Sequence, residues 1–279
     1  MTRSSMNNAA AIEATSIKAI VFDAYGTLYD VQSVESVTNA AFPGYGSFIT
    51  QIWRLKQLEY TWLRSMMGKY EDFWTITREA LAFTIETLGL HAESTLFEKI
   101  AEAYNTLAPY PDAEMALRSL SSYHLAILSN GSPPMLRALV RNSGFESLIK
   151  TVISVDAKKV FKPDPGAYEL VEEETGFTPD NVLFVSSNGF DISGARSFGF
   201  RVARIERVTP AALRAELADA ERIGPARMFK ALRAQAEHLG FPPDFVVNSL
   251  GDLPALAARG FPLPHGIGKG QIREGRPQD

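Results

Sequence analysis

The fold is decided by the stretch Ile17-Lys-Ala-Ile-Val-Phe-Asp-Ala-Tyr-Gly-Thr-Leu-Tyr-Asp30. Its run of β-branched and aromatic residues, Ile20 to Phe22, is typical of a strand that is buried on both faces. The run ends at the carboxylate of Asp23, and Gly26 permits a sharp turn shortly after it. Because open α/β sheets bind ligands beyond the carboxyl ends of their strands, Asp23 is a candidate nucleophile. The alternative is an aspartate that only caps the following turn or helix.

Composition narrows the class of protein. The 279 residues suffice for one large domain or two smaller ones, and 46% hydrophobic and 22% charged residues are ordinary globular usage. A formal net charge of −4 argues against nucleic acid as the main partner, since nucleic-acid binding usually shows as a basic patch.

The absence of cysteine removes disulfides, thiolate catalysis and cysteine zinc sites, and fits a reducing compartment such as the cytoplasm. Four histidines without an HExxH pattern argue against a histidine-rich metal centre. No apolar run approaches the ~20 residues of a membrane helix, so we expect no membrane partner.

The chain begins with two segments that differ from the rest. Residues 1–16 are small and polar, without the apolar region of a signal peptide, and predict a disordered leader. Residues 17–30 form the first core strand. Residues 31–107 then carry apolar residues at helical spacing and predict an all-helical domain inserted directly after that strand.

Residues 108–260 alternate between helix and strand patterns, which predicts a parallel sheet with right-handed crossovers and therefore an α/β fold. An insertion of about two helices occupies roughly residues 207–240. The sequence leaves open whether this insertion forms a lid edge, a subunit contact or a solvated decoration. Residues 261–279 are rich in glycine, proline and charge, and predict a disordered tail.

Polar clusters follow four of the predicted strands. Each alone is an ordinary turn, loop or helix cap. Together they follow successive strands at their carboxyl ends, which lie at the same edge of a parallel sheet, so we expect them to converge on one crevice. The clusters are Asp23–Thr27, Ser129–Asn130, Lys162 and Ser186–Asp191.

These clusters resemble the motifs of the haloacid dehalogenase superfamily, and more narrowly those of the type II (S)-2-haloacid dehalogenases. The resemblance covers about residues 17–205 and 245–257, and it implies a Rossmann-like core with the helical segment as a cap domain. The stretches that carry it are Phe22-Asp-Ala-Tyr-Gly-Thr-Leu-Tyr29, Trp53-Arg-Leu-Lys-Gln-Leu-Glu-Tyr-Thr-Trp-Leu-Arg64, Ile127-Leu-Ser-Asn-Gly-Ser132 and Phe184-Val-Ser-Ser-Asn188.

The resemblance implies hydrolysis of a short (S)-2-haloalkanoic acid without a metal or cofactor. Asp23 would displace halide from C2 and form an ester, and water would then attack the ester carbonyl to release the inverted 2-hydroxy acid. The expected partners are the haloacid, the halide ion and a second copy of the chain in a homodimer. The preference for the (S) enantiomer comes from the resemblance alone.

The family also implies roles for individual residues. Lys162 would hold Asp23 ionised, and Thr27 would bond to its carboxylate. Arg54, with Asn130 beside it, would stabilise the departing halide, whereas without the resemblance a surface arginine is the simpler interpretation. Asp191 would be the base for ester hydrolysis. The substrate carboxylate would be held by the Ser129 hydroxyl and by backbone N–H groups near Ala24, Tyr25 and Asn130.

The remaining candidates support these groups. Ser186 and Asn188 would orient Asp191, Lys162 and the water. Tyr168 would either line the site or pack in the core. An apolar wall around the substrate side chain would come from Leu55, Leu58, Phe73 and Phe190. Many relatives carry Trp where this chain has Phe190, which affects the expected substrate range more than the reaction.

Two other functions compete with this prediction. A metal-dependent phosphatase of the same superfamily needs a second aspartate where this chain has Tyr25, and several carboxylates for Mg²⁺ where it offers Asp23 and Asp191. A non-catalytic binding protein would have no chemical reason to keep Asp23, Lys162 and Asp191 together.

Overall fold

A parallel six-stranded sheet forms the centre of the computed structural model, which describes residues 16–218, 223–233, 235 and 237–262. The α/β class is therefore confirmed. The strands are β1 (Ala19–Phe22), β2 (His124–Ser129), β3 (Thr151–Ser154), β4 (Val182–Ser186), β5 (Arg201–Ile205) and β6 (Phe245–Val247).

The strand order is β3-β2-β1-β4-β5-β6, so β1 lies between β2 and β4. All four residues of β1 are completely buried, as its unbroken apolar sequence predicts. Phe22 pairs in register with Ile127 of β2 and Val185 of β4. From β1 the next strands in the chain, β2 and β3, extend the sheet to one side, and β4, β5 and β6 extend it to the other. A crevice forms at such a switch point beyond the carboxyl ends of the strands, so the polar residues that follow β1, β2 and β4 meet there.

The cap consists of helices between β1 and β2. Asp72 caps the helix that begins at Phe73, because its carboxylate accepts hydrogen bonds from the backbone N–H groups of Trp74 and Thr75. Gly68, with φ of +62°, ends the preceding helix. The helical pattern expected to reach residue 107 changes to a 3₁₀ turn at Ala103–Asn105. The cap helices are α1 (Glu35–Ala41), α2 (Gly46–Met67), α3 (Phe73–Thr87) and α4 (Ser94–Glu102).

The later helices cover the sheet or belong to the insertion. They are α5 (Ala113–Ser119), α6 (Pro133–Asn142), α7 (Pro165–Thr175), α8 (Gly189–Phe198), α9 (Pro210–Glu216), α10 (Pro225–Arg233) and α11 (Leu253–Ala258).

The insertion contacts the cap as well as the core. Its helix α10 packs against α2, and the guanidinium of Arg233 lies 5.3 Å from the ring centre of Trp62. Of the alternatives left open by the sequence, a purely solvated decoration does not fit these contacts.

The predicted leader and tail lie mostly outside the described residues. Phe261, which the sequence assigns to the tail, is an exception because it is buried against Tyr123 and Phe245. The packed part of the chain therefore continues to that residue. Within the described ranges, no helix is both long and apolar enough to cross a membrane.

Candidate active site

The ammonium group of Lys162 is the centre of the site. Its Nζ lies 3.2 Å from Oδ1 of Asp23, 3.0 Å from Oδ2 of Asp191 and 2.7 Å from the carbonyl oxygen of Leu128. The Lys162 side chain is 1% exposed. One buried cation thus donates to two carboxylates that would otherwise repel each other.

Three loops of the core bring these groups together. Asp23 directly follows β1, Lys162 lies in the loop between β3 and α7, and Asp191 lies in the first turn of α8. Asp191 is completely buried, and its carboxylate bonds to side chains rather than to the end of its own helix. The alternative that it serves only as a helix cap is therefore wrong.

The second oxygen of Asp23 is held separately. Its Oδ2 accepts a bond of 2.8 Å from Nδ2 of Asn188 and one of 3.1 Å from Oγ1 of Thr27. The Asn188 amide also donates to the backbone oxygen of Tyr25 at 3.0 Å. The sequence analysis expected Asn188 to orient Asp191, Lys162 and a water. Its side chain reaches Asp23 instead, because Asn188 lies between β4 and α8 and β4 is the strand beside β1.

Asp191 has a higher pKa than an ordinary aspartate. Burial raises its pKa to about 6, and the nearby Lys162 charge offsets only part of that effect. The hydroxyl of Tyr168 donates to Oδ1 of Asp191 over 2.9 Å. Tyr168 is itself fully buried and does not line the cavity described below, so it contacts Asp191 rather than a substrate.

Two buried serines shape the loops that follow their strands. Ser129 Oγ accepts the backbone N–H of Gly131 at 3.2 Å, and Ser186 Oγ accepts that of Asn188 at 3.1 Å. Neither serine is among the residues that line the small cavity, so the expected contact between the Ser129 hydroxyl and a substrate carboxylate stays a prediction. Asn130 does line it, and its Oδ1 accepts the backbone N–H of Lys162 at 3.0 Å.

Arg54 reaches the site from α2 of the cap and is only 4% exposed. Its Nη1 donates to Oε1 of Gln57 at 2.7 Å, and Nε2 of Gln57 donates to Oγ1 of Thr77 on α3 at 2.7 Å. The guanidinium carbon lies 5.8 Å from the ring centre of Tyr25. This burial excludes the interpretation of Arg54 as a surface arginine. Gln57 and Thr77 were not identified from the sequence, although Gln57 follows Arg54 at helical spacing.

A small cavity of about 10 Å³ lies between these groups, which is room for roughly one water molecule. Leu55 does not line it and is half-buried, because successive residues of a helix turn by about 100° and only Leu58 faces the same side as Arg54. Ala24 is buried at the end of β1. The lining residues are Asp23, Tyr25, Arg54, Leu58, Phe73, Asn130, Lys162, Asn188 and Phe190.

Two further residues adjoin the site without a clear signal in the sequence. The Ser187 hydroxyl donates to the backbone oxygen of Gly26 at 2.7 Å, which ties the two loops together. Tyr104 is fully buried in the cap with its ring centre 6.3 Å from that of Tyr25, and its hydroxyl has no acceptor among the described residues. Ser187 lay within a quoted motif, whereas Tyr104 lay in an ordinary helical pattern.

The donor set is poorly suited to a divalent metal. In the part of the chain that the structure describes, no three His, Asp or Glu side chains are grouped so that they could hold one ion. The two carboxylates nearest the cavity are both engaged by Lys162. Mg²⁺ would have to compete with that ammonium for its oxygen ligands.

Comparison with known proteins assigns the family. A family model described as haloacid dehalogenase-like hydrolase matches residues 17–199. The (S)-2-haloacid dehalogenase of Xanthobacter autotrophicus is 57% identical over 89% of this chain and 98% of its own. The haloacetate dehalogenase H-2 of Moraxella sp. (strain B) is 46% identical over 68% of this chain and 86% of its own.

A solved structure extends the similarity to three dimensions. The L-2-haloacid dehalogenase of Xanthobacter autotrophicus with chloropropionic acid covalently bound superposes with a TM-score of 0.84 and 57% identity, covering 87% of this chain and 98% of that one. The chain therefore belongs to the haloacid dehalogenase-like hydrolases, and within them to the (S)-2-haloacid dehalogenase branch.

Proposed function

We propose that the protein hydrolyses short-chain (S)-2-haloalkanoic acids to (R)-2-hydroxyalkanoic acids through an ester on Asp23. One observation carries the proposal. Asp23 is the carboxylate at the cavity, and its two oxygens are oriented by Lys162 on one side and by Thr27 and Asn188 on the other. The similar structure with covalently bound chloropropionic acid supports the covalent route.

In the first step a carboxylate oxygen of Asp23 attacks C2 of the substrate from the side opposite the halogen. The C–O bond forms as the C–X bond breaks, and halide leaves with the bonding electron pair. Lys162 offsets the repulsion between the anionic nucleophile and the anionic substrate. Arg54 and Asn130 line the cavity and stabilise the negative charge that develops on the departing halide. Phe190 adds an apolar wall.

In the second step water attacks the ester carbonyl carbon of Asp23. Asp191 is the base for this water, because among the described residues it is the only other carboxylate in contact with Lys162, and a pKa of about 6 leaves it ionised near neutral pH. One proton of the water moves to Asp191, and the bond between the Asp23 carbonyl carbon and the substrate oxygen breaks. The leaving alkoxide takes the proton that remains on the added hydroxyl, so that Asp23 is again a carboxylate and the 2-hydroxy acid leaves with inverted configuration at C2. Asp191 then releases its proton to solvent.

A Mg²⁺-dependent phosphatase is the less favoured alternative. Tyr25, which stands where such an enzyme needs its second aspartate, is fully buried, and burial raises the pKa of its hydroxyl far above the usual value. A phenol of that kind is a poor general acid for a leaving alcohol.

We further propose that the enzyme works in the cytoplasm as a homodimer. The absence of cysteine suits a reducing compartment, and two-fold dimers are the commonest oligomers. Sedimentation velocity of the full chain tests the dimer, and a single species of about 31 kDa would contradict it, since one chain weighs 30.7 kDa.

Halide release from (S)- and (R)-2-chloropropanoate and from chloroacetate, with EDTA present, tests the activity. We expect metal-independent release that favours the (S) enantiomer. Absence of release, together with Mg²⁺-dependent hydrolysis of a generic phosphate ester, would overturn the proposal and favour the phosphatase.

A further inference from the structure

A second and larger cavity adjoins the small cavity of the active site. It has a volume of about 290 Å³ and shares three lining residues with the active site, namely Arg54, Leu58 and Asn188. On its other side it is bounded by α10 of the insertion, through residues that include Phe229, Lys230 and Arg233. Arg54, Leu58 and Asn188 therefore form a partition between a site with room for one water and a space large enough for a small organic acid.

The lining of this outer cavity is strongly cationic. It contains four cationic side chains, those of Arg54, Arg207, Lys230 and Arg233, and one carboxylate, that of Glu35. Two of the cations are paired elsewhere, since Arg207 binds Asp112 at 2.8 Å and Lys230 binds Glu216 at 2.9 Å. Arg54 and Arg233 are therefore the cations of this lining without a carboxylate partner among the contacts of the described residues.

Buried donors without acceptors point to a missing anion. In the described ranges the Nε–H of Arg207 and the Nε–H of Arg233 are buried and have no hydrogen-bond acceptor, and both side chains line the cavity. The indole N–H of Trp62, the ring over which Arg233 lies, is also buried without an acceptor among the described residues, although Trp62 does not itself line the cavity. Buried donors normally have partners, so these N–H groups call for an acceptor that the described residues do not supply.

The two unpaired guanidinium groups act on each other. Burial lowers the pKa of Arg233, and the positive charge of Arg54 lowers it further, while Glu237 acts in the opposite direction. A bound anion would relieve the repulsion between the two arginines.

We propose that the outer cavity is a binding site for small monovalent anions, through which the haloacid reaches the active site and the halide leaves it, with Arg233 as the principal ligand. The inference rests on the proposed function for the identity of these anions. It assigns a role to the insertion, which contributes α10 and with it Arg233 to the wall. The partition of Arg54, Leu58 and Asn188 must open for each passage, because the inner cavity has no room for a haloacid as it stands.

Iodide quenching of Trp62 fluorescence tests the site without using the activity. The chain has three tryptophans, so the Trp62 component is obtained by difference from Trp62→Phe. We expect iodide to quench this component more strongly than neutral acrylamide does, and Arg233→Gln to lower the iodide quenching constant about threefold, as the loss of one of several attracting charges should. Arg214→Gln is the matched control, because Arg214 is exposed, lies on α9 of the same insertion and does not line the cavity.

Kinetics of the same variants test the route. Arg233→Gln should lower kcat/KM for 2-chloropropanoate about three- to tenfold and flatten its dependence on salt, with little change in kcat, since steering by charge acts on association. Arg214→Gln should behave like the wild type. Equal iodide quenching and equal salt dependence in wild type, Arg233→Gln and Arg214→Gln would overturn the inference. If the protein shows no halide release but Arg233→Gln still lowers the iodide quenching constant about threefold, the anion site stands and the proposed function fails.

Discussion

Nζ of Lys162 and Oδ1 of Asp23 lie 3.2 Å apart, with the two side chains only 1% and 7% exposed. A buried ion pair of this kind contributes little net stability when intact, but removal of one partner is costly because the other charge stays buried and unpaired. Here the removal of the cation would leave two carboxylates, since Asp191 lies 3.0 Å from the same nitrogen.

Lys162→Met should therefore lower the free energy of unfolding by about 3–5 kcal/mol and abolish turnover. Urea denaturation followed by circular dichroism measures the first effect, and halide release measures the second. Lys150→Met is the matched control because Lys150 is exposed, and it should stay within about 0.5 kcal/mol of the wild type. A Lys162→Met protein as stable and active as the control would disprove the central role of this cation.

Asp191→Asn should separate the two chemical steps. The amide cannot take a proton from water, so ester formation should continue while ester hydrolysis slows by about 10²–10⁴-fold. Intact-protein mass spectrometry after mixing with 2-chloropropanoate should then show the chain that carries the substrate as an ester on Asp23 accumulating. Free, unmodified enzyme with a normal turnover rate would show that another group activates the water.

The raised pKa of Asp191 predicts an acid limit to activity. Below a pH of about 6 the carboxyl is protonated and cannot act as a base, so kcat should fall as the pH drops through that value. A pH profile of kcat between 4.5 and 8 (~0.5-unit steps across the limb) measures it. A flat profile through pH 6 would contradict the assignment of Asp191 as the base.

Asp191 also makes the stability of the fold depend on pH, but with the opposite sign, because stability falls where kcat rises with pH. Its folded-state pKa lies above the ordinary aspartate value of 3.8, so the proton is held more tightly in the folded state than in the unfolded state. The stability that this proton contributes is fully present below pH 3.8 and is lost as the pH rises through about 6. Asp191→Asn should remove that part of the pH dependence of unfolding.

Arg54→Ala should slow halide loss most for the poorest leaving group. If its guanidinium stabilises charge on the halide, ester formation should slow by roughly 10²-fold for the 2-chloro acid and less for the 2-bromo acid. Rapid-quench measurement of halide release in a single turnover reports this step. Arg64→Ala is the control, because Arg64 lies on the same helix but pairs with Glu79. Equal slowing for both halogens would argue against contact between Arg54 and the halide.

Gly194→Ala should perturb the base through Tyr168. A Cβ at position 194 would meet the Tyr168 hydroxyl and lie 2.6 Å from Cβ of Pro163, so the hydroxyl that bonds to Asp191 must move. We expect a loss of stability of about 1–3 kcal/mol and a shift in the acid limb of the pH profile. Gly224→Ala, where nothing lies within 4 Å of the new Cβ, should change neither quantity. An unshifted acid limb in Gly194→Ala would show that Tyr168 does not set the pKa of Asp191.

The sheet and the convergence of polar loops could be predicted from sequence because both depend on local patterns. The apolar run before Asp23 and the strand-helix alternation after residue 108 are properties of short segments, and parallel pairing then brings the strand ends together.

Contacts between distant side chains could not be predicted in the same way. Nothing local indicates that Asn188 bonds to Asp23 rather than to Asp191, or that Gln57 and Thr77 brace Arg54. Leu55 and Leu58 are alike in the sequence, and only the rotation of α2 against the core decides which of them faces the cavity. The place of the insertion against α2 also depends on packing between segments far apart in the chain.

The origin of the product oxygen tests the nucleophile most directly. With enzyme in excess over (S)-2-chloropropanoate in ¹⁸O-labelled water, a single turnover should place the label in the carboxylate of Asp23 and leave the hydroxy acid unlabelled, because water attacks the ester carbonyl. Mass spectrometry of the peptide that contains Asp23 and of the product reads both positions. Label in the hydroxy acid with none in Asp23 would mean that water attacks C2, and it would contradict the covalent mechanism.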